Sequence, residues 1–255
     1  YIFIFYNLIF MFEKLYIKLL MNFVYFVDYT NKKKILNYFK SRLKDIFLVT
    51  IDIGTHKGET IDFFQDNFNI KQIYCCEPNP EIFSELNNKK KYQNDKIKLF
   101  NLALGHQNEK KQLSILRDSS SSTFNPFNEN SNYFKRKKKI LNYFSDSSEY
   151  IAKKELVKVL KTSNFINENL IKNIDVLKID TEGYEYNVLK GINNDQFKFI
   201  KFIYFEHHYD LMLKKGYKFQ DINEFLVEKG FKKSFKIKMK FRKTFEYIYE
   251  NKIQS

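Results

Sequence analysis

Apolar positions recur at helical spacing at the start of the chain. Phe12, Leu15, Tyr16, Leu19, Phe23 and Phe26 share one side, and Lys14, Lys18 and Asn22 form a polar stripe four apart. This predicts an amphipathic helical segment over residues 1–45. It either packs on the domain or lies on a membrane surface. Glu13, Lys14 and Lys18 interrupt the apolar run, and a charge near the centre of a spanning helix costs about 2.5–3.5 kcal/mol. No small-residue cleavage site follows, so a secretory signal is not expected. The expected location is cytoplasmic, with peripheral membrane contact through this helix as the alternative.

From residue 46 the pattern turns to strands alternating with helices. Apolar runs predict strands at Phe47–Ile53, Gln72–Cys76, Ile97–Leu102, Val157–Leu160, Ile174–Ile179 and Phe199–Phe205. Helical periodicity covers Thr60–Phe68, Glu81–Lys90, Glu185–Leu189 and Phe219–Glu228. Gln112–Leu116 reads as an extra strand. Residues 118–150 read as a long polar insertion loop, with the run Ser119–Ser122 and the basic block Lys135–Lys139. Phe235–Met239 and Phe245–Tyr249 predict a closing hairpin, hence a reversed edge strand. The alternation predicts an α/β domain over 46–255, a mostly parallel sheet with helices on both faces.

Composition changes the picture at two points. The net charge of +14 invites a polyanionic partner, yet only four of the 44 basic residues are arginine and alanine occurs only at 103 and 152. That skew fits an AT-rich coding sequence, and a lysine excess of that origin is mostly solvated surface. A small-molecule or glycan acceptor is therefore preferred over nucleic acid. The two cysteines, Cys75 and Cys76, are adjacent, which indicates neither a disulfide framework nor a metal site.

In an open α/β sheet, ligands bind beyond the carboxyl ends of the strands. After the first strand stands Asp52-Ile53-Gly54-Thr55-His56-Lys57-Gly58, in which the glycines allow a tight turn and close backbone approach. This is not the dinucleotide fingerprint, and Asp52 suits a cationic group better than a pyrophosphate. After the second strand stands Glu77-Pro78-Asn79-Pro80, whose acid matches a ribose diol. Asn101 and Ala103 follow the third strand, where a small residue would admit adenine. Asp180, Thr181, Glu182 and Gly183 follow a later strand. Glu206-His207-His208 ends the next one and is a candidate general-base site. Neighbouring histidines on a strand face opposite ways, so no metal is predicted.

The segments IDIGTHKGET, YCCEPNPEIFSEL, NLALG and VLKIDTEGYEYNVLKGI, in this order, resemble the FkbM family of S-adenosylmethionine-dependent methyltransferases. The resemblance spans about residues 48–250. It departs at His56, where family members commonly carry Asn, and at Thr162-Ser163-Asn164, where a T-L-D triplet is usual. It implies a class I methyltransferase fold, a Rossmann-like seven-stranded sheet with an antiparallel last strand, and O-methylation of sugars or other hydroxylated metabolites. By position it implies S-adenosylmethionine held by Asp52, Gly54, Gly58 and Glu77, and the reading of the strand tips adds Thr55, His56, Pro78, Asn101 and Ala103 to the expected cofactor site. The resemblance implies that Asp180 and Glu182 border the reaction centre; from the residues themselves, His207 or Asp180 is the expected base. The alternatives are an RNA-directed methyltransferase using the basic block, or a non-catalytic nucleotide-binding module.

Overall fold

The structure is a computed structural model that describes residues 15, 19, 23, 27–116, 122–141, 151–240 and 242–252. Helix α1 covers residues 27–42. The strands are β1 (Leu48–Ile53), β2 (Ile70–Cys76), β3 (Ile97–Phe100), β4 (Ala103–Gly105), β5 (Glu109–Leu116), β6 (Ser122–Thr123), β7 (Ile151–Lys161), β8 (Ile174–Ile179), β9 (Ile200–His208), β10 (Phe231–Lys238) and β11 (Thr244–Asn251). The remaining helices are α2 (Glu59–Gln65), α3 (Pro80–Asn87), α4 (Asn132–Leu141), α5 (Thr162–Glu168), α6 (Glu185–Lys190) and α7 (Phe219–Glu228).

Seven strands form the main sheet in the order β10-β11-β9-β8-β1-β2-β3. The pairs β1–β2, β1–β8, β2–β3 and β8–β9 are parallel, whereas β11 runs antiparallel to both β9 and β10. The expected hairpin is present, but its reversed strand does not take the edge. Burial explains the order. Seven of the eight residues of β11 are buried, so it needs strands on both sides, while the lysines of β10 suit an outer position.

A second sheet, β4-β7-β5-β6, was not expected. The predicted third strand stops at Phe100, and Ala103 belongs instead to β4, paired with Val159 of β7. The short strand expected at Val157–Leu160 is the C-terminal part of an eleven-residue strand. Of the predicted insertion loop, the described part holds β6 and α4, while Ser119–Ser121 lie outside the described residues.

One face of the main sheet packs against α1, α2 and α3, and the other against α5, α6 and α7. Ile35 and Phe39 of α1 and Leu43 just after it are buried at a spacing of four. Phe39 meets Phe202, Tyr204 and Phe64 with ring centroids 5.7–5.9 Å apart. Polar contacts fix the same helix. Asn31 Nδ2 donates to the Lys238 carbonyl at 2.9 Å, Tyr38 bonds Ser234 at 2.7 Å, and Asp28 pairs with Arg242. Residues 27–42 thus pack on the domain. Leu15, Leu19 and Phe23 of the apolar stripe are exposed, and its other members lie outside the described residues, as does the polar stripe Lys14, Lys18 and Asn22.

Candidate active site

The carboxyl ends of β1, β2, β8 and β9 meet at one edge of the main sheet. The turn after β1 is set by left-handed backbone at Gly54 (φ 83°), His56 (φ 50°) and Gly58 (φ 93°). At Gly54 a side chain is excluded outright, because a Cβ there would overlap the Asp180 carbonyl oxygen. A Cβ on Gly58 would overlap the Tyr92 hydroxyl and lie 2.7 Å from its ring. Buried Thr55 donates its hydroxyl to the Asp52 carbonyl at 3.1 Å.

Asp52 is fully buried, and neither of its carboxylate oxygens has a hydrogen-bond partner within the protein. Burial pushes its carboxyl up to about 7, against the opposing pull of Lys178. Glu77 is buried as well. It accepts the His56 backbone N–H at 2.8 Å and the Asn79 N–H at 2.8 Å, one on each oxygen. A carboxylate offers about four acceptor positions, so Glu77 keeps capacity for two hydroxyls. Burial raises its affinity for a proton, and the two N–H bonds work against that. These features fit S-adenosylmethionine. Asp52 leaves a carboxylate for an ammonium, the Gly54–Gly58 turn bares backbone, and Glu77 offers a pair of oxygens.

Asn101 and Ala103 are spent differently. The Asn101 amide donates to the carbonyls of Glu77 and Pro78 at 2.8 and 3.3 Å, which ties β3's end to the Glu77 turn. Ala103 is buried in the second sheet.

The other half of the edge is a charge cluster. Strand register aligns Asp52 with Lys178 and Lys178 with Tyr204, and one step further along it sets Glu246 beside Glu206. Lys178 is buried. Its Nζ lies 3.3 Å from Asp180 and 4.3 Å from the Tyr204 ring centroid. Burial alone would drive its proton off, but Asp180, Glu246, Glu206 and Asp52 outweigh that and raise its pKa. Lys178 and His208 in turn overcome the burial of Asp180 and hold its carboxyl below its ordinary value. Glu206 is pushed up to about 8, first by burial and then by Asp180. The hydroxyl of Tyr204 bonds Glu246.

His208 joins this cluster. Its Nε2 lies 3.3 Å from Glu182 and 3.4 Å from Glu206, and its Nδ1 lies 3.5 Å from Asp210. Burial would lower its pKa, but Glu182, Asp210 and Glu206 carry it up to about 10, so it is an imidazolium near neutrality. His207 points to the opposite face, among Tyr209, Tyr217 and Phe219 with ring centroids 4.8–6.0 Å away. Burial and the Lys215 charge push it down to about 3. The structure therefore gathers Asp52, Asp180 and Glu182 at one edge and leaves His207 on the other side of the sheet. Sequence reasoning named Glu206 and His208 within a candidate general-base site but set the base at His207, and it missed Lys178 and Glu246 as members of the cluster. Strand parity was the available signal, since Tyr204, Glu206 and His208 alternate onto one face.

The fold and this edge define a class I methyltransferase. The sequence matches the methyltransferase FkbM domain over residues 52–233. The chain belongs to that family of S-adenosylmethionine-dependent enzymes. Among solved structures, the methyltransferase FkbM from Methylobacillus flagellatus is similar, with a TM-score of 0.51 and 14% identity. The match covers 83% of this chain and 46% of that one, so this chain spans about half of its length. TrmK of M. capricolum, in complex with S-adenosyl-homocysteine, gives a TM-score of 0.47 and 12% identity over 85% of this chain and 67% of that one. Magnesium protoporphyrin IX methyltransferase from Synechocystis, with bound SAM, gives 0.45 and 8% over 87% and 78%. No curated protein sequence matches the chain.

Proposed function

We propose that the chain transfers a methyl group from S-adenosylmethionine to a hydroxyl oxygen of a sugar, glycan or other small hydroxylated acceptor. The contact between Gly54 and Asp180 carries this reading. It sets the turn suited to the cofactor's methionine end directly against the strand tip that bears the acids. Bound there, the cofactor supplies an electrophilic methyl carbon on a sulfonium. Asp52 would take its ammonium group and Glu77 its ribose hydroxyls. The backbone of Gly54, Thr55, His56 and Gly58 would line the space between them.

An alcohol must lose its proton as it attacks, and a placed base contributes about 10²–10⁴-fold. Asp180 is the proposed base. Its side chain is 36% exposed, more than those of Glu182, Glu206 and His208, and Lys178 keeps it ionised. The hydroxyl oxygen gains the methyl group, its proton passes to Asp180, and the sulfonium leaves as a neutral thioether. Beside it, the Glu182 carboxylate can accept hydrogen bonds and the His208 imidazolium can donate them. Such alternating charged partners suit a polyhydroxylated acceptor.

A second reading, an RNA acceptor, draws on exposed Lys135, Arg136 and Lys139 of α4. Calorimetry with S-adenosylmethionine, S-adenosylhomocysteine and NAD comes first, followed by methyl-transfer assays on polyols, glycans and RNA. Binding of both adenosyl ligands without NAD, and transfer to hydroxylated acceptors lost in Asp180→Asn, is the expected result. Transfer to RNA alone, with affinity falling steeply with salt, would overturn the acceptor class.

A further inference from the structure

The loop that carries Glu182 is held in a costly shape. Glu182 has φ 47° and Gly183 has φ 91°. A side chain with a Cβ rarely adopts left-handed backbone unless its surroundings enforce it, and such sites cluster where function needs them. Two sets of bonds enforce it here. From within, the buried Glu185 carboxylate accepts the N–H groups of Thr181 and Gly183 at 3.2 and 2.9 Å, and the Thr181 hydroxyl at 3.1 Å. The Tyr217 hydroxyl holds its other oxygen.

From outside, the second set comes from β6 and the residues after it. The Thr123 hydroxyl donates to the Glu182 carbonyl at 2.8 Å, and Asn125 Nδ2 donates to the Gly183 carbonyl at 2.8 Å. Thr123 also accepts the Asn125 N–H at 3.1 Å, so the two side chains act as one clasp. Both are buried. The same segment reaches the loop that follows β9. Asn128 N–H bonds the Met212 carbonyl at 2.8 Å, Lys214 N–H bonds the Pro126 carbonyl at 2.9 Å, and Phe127 pairs with Leu213. That second loop begins just after His208, the last residue of β9, and carries Asp210. One short segment therefore ties the Glu182 turn to the loop that follows His208, and Glu182 and His208 lie 3.3 Å apart.

We infer that Thr123 and Asn125 are positioning residues that lock the Glu182–Gly183 turn and hold the Glu182 carboxylate against His208. They touch neither the cofactor turn nor the reacting groups and act through Glu182. The groups that face His208 are Asp180 and Glu182 from the turn after β8, Glu206 from β9, and Asp210 and Lys215 from the following loop. Thr244 faces it from β11, its hydroxyl 3.2 Å from Nδ1. Of these, the clasp positions Glu182 directly.

The functional weight of the clasp rests on the reading of this cluster as the acceptor side of the site, but its test needs no acceptor. The His208 titration is followed by NMR with labelled histidine in the wild-type chain and in Thr123→Val, Thr123→Ser and Asn125→Ala, with His208→Gln fixing the assignment. Release of Glu182 should lower the His208 midpoint by roughly one pH unit or more in Thr123→Val and Asn125→Ala. Thr123→Ser keeps the hydroxyl and should restore it. Calorimetric affinity for S-adenosylhomocysteine should stay within about twofold of wild type. An unchanged midpoint in a folded Thr123→Val chain would overturn the inference. Unfolding of both Thr123→Val and Asn125→Ala would make the clasp purely structural and overturn it equally. Failure of methyl transfer in the wild type, with the midpoint shift intact, would instead count against the proposed function alone.

Discussion

Gly54 and Asp180 meet backbone to backbone. The Asp180 N–H donates to the Ile53 carbonyl at 2.8 Å, and the Asp180 carbonyl oxygen occupies the space that a Cβ on Gly54 would need. No backbone shift at one residue can leave the other in place. Gly54→Ala must both force a side chain into the left-handed region and push β8's tip away from β1. The expected outcome is loss of S-adenosylmethionine binding by calorimetry, with a lowered melting temperature. A Gly54→Ala chain that binds the cofactor with wild-type affinity would mean that this turn does not form the cofactor site.

Asp52 makes cofactor affinity depend on pH. Burial carries its carboxyl up to about 7, so the charge that would meet a cationic ligand develops across neutrality. Affinity for S-adenosylmethionine should therefore rise between pH 6 and pH 8. Asp52→Asn keeps the shape and removes the charge. It should weaken binding by about tenfold or more and flatten the pH dependence, on the rule that 1.4 kcal/mol is a factor of ten. Calorimetry at pH 6, 7 and 8 on both chains reads the effect. A flat wild-type profile would remove Asp52 from the ammonium site.

The cofactor half of the edge was legible in the sequence because it is local. Asp52, Gly54, Gly58 and Glu77 sit at the ends of apolar runs, and a strand-to-helix turn announces itself within ten residues. The acid half was legible only in part. Asp180 and Glu182 followed from the same logic, but choosing between His207 and His208 required knowing which face of β9 meets Lys178. The second sheet was hidden for a different reason. β5 and β7 pair across the insertion, so Leu113 finds Glu155 and Gln112 finds Leu156 from more than forty positions away. No short-range pattern encodes such a pairing, and the clasp at Thr123 and Asn125 exists only because of it.

The buried charges make stability fall as pH rises. In the folded chain Glu206 titrates near 8 rather than 4.5, and His208 near 10 rather than 6.5. Each holds a proton that the unfolded chain has already lost, Glu206 from about pH 4.5 to 8 and His208 from about 6.5 to 10. The folded state binds more protons throughout those windows, so the stability that each contributes at low pH is lost as pH rises through its folded value. His207 has the opposite sign, but its window runs from about 3 to 6.5 and closes below neutrality. The melting temperature without cofactor should therefore fall between pH 6.5 and pH 9, and His208→Gln should make the fall shallower. Circular dichroism melts at the two pH values test this. A rising melting temperature would contradict the charge arrangement described for the cluster.

Residues 27–42 form part of the folded unit, although the sequence pattern drew the domain boundary at 46. Phe39 is fully buried among Phe64, Phe202 and Tyr204, and Asp28 pairs with Arg242 close to the acid cluster. Phe39→Ala should cost about 3–5 kcal/mol, and Arg242→Ala should destabilise further because it leaves the buried Asp28 carboxylate without its partner. A chain trimmed to begin at residue 46 would bare the apolar row of Val176, Phe202, Tyr204 and Ile248 on the main sheet. It should be insoluble or lack a cooperative melt, whereas a chain that begins at residue 24 should melt like the full one. If α1 were only a membrane-surface element, the chain beginning at residue 46 would stay folded and lose vesicle binding instead, while the chain beginning at residue 24, which keeps α1, would retain it. Melting curves and vesicle co-sedimentation on the same two chains separate these outcomes.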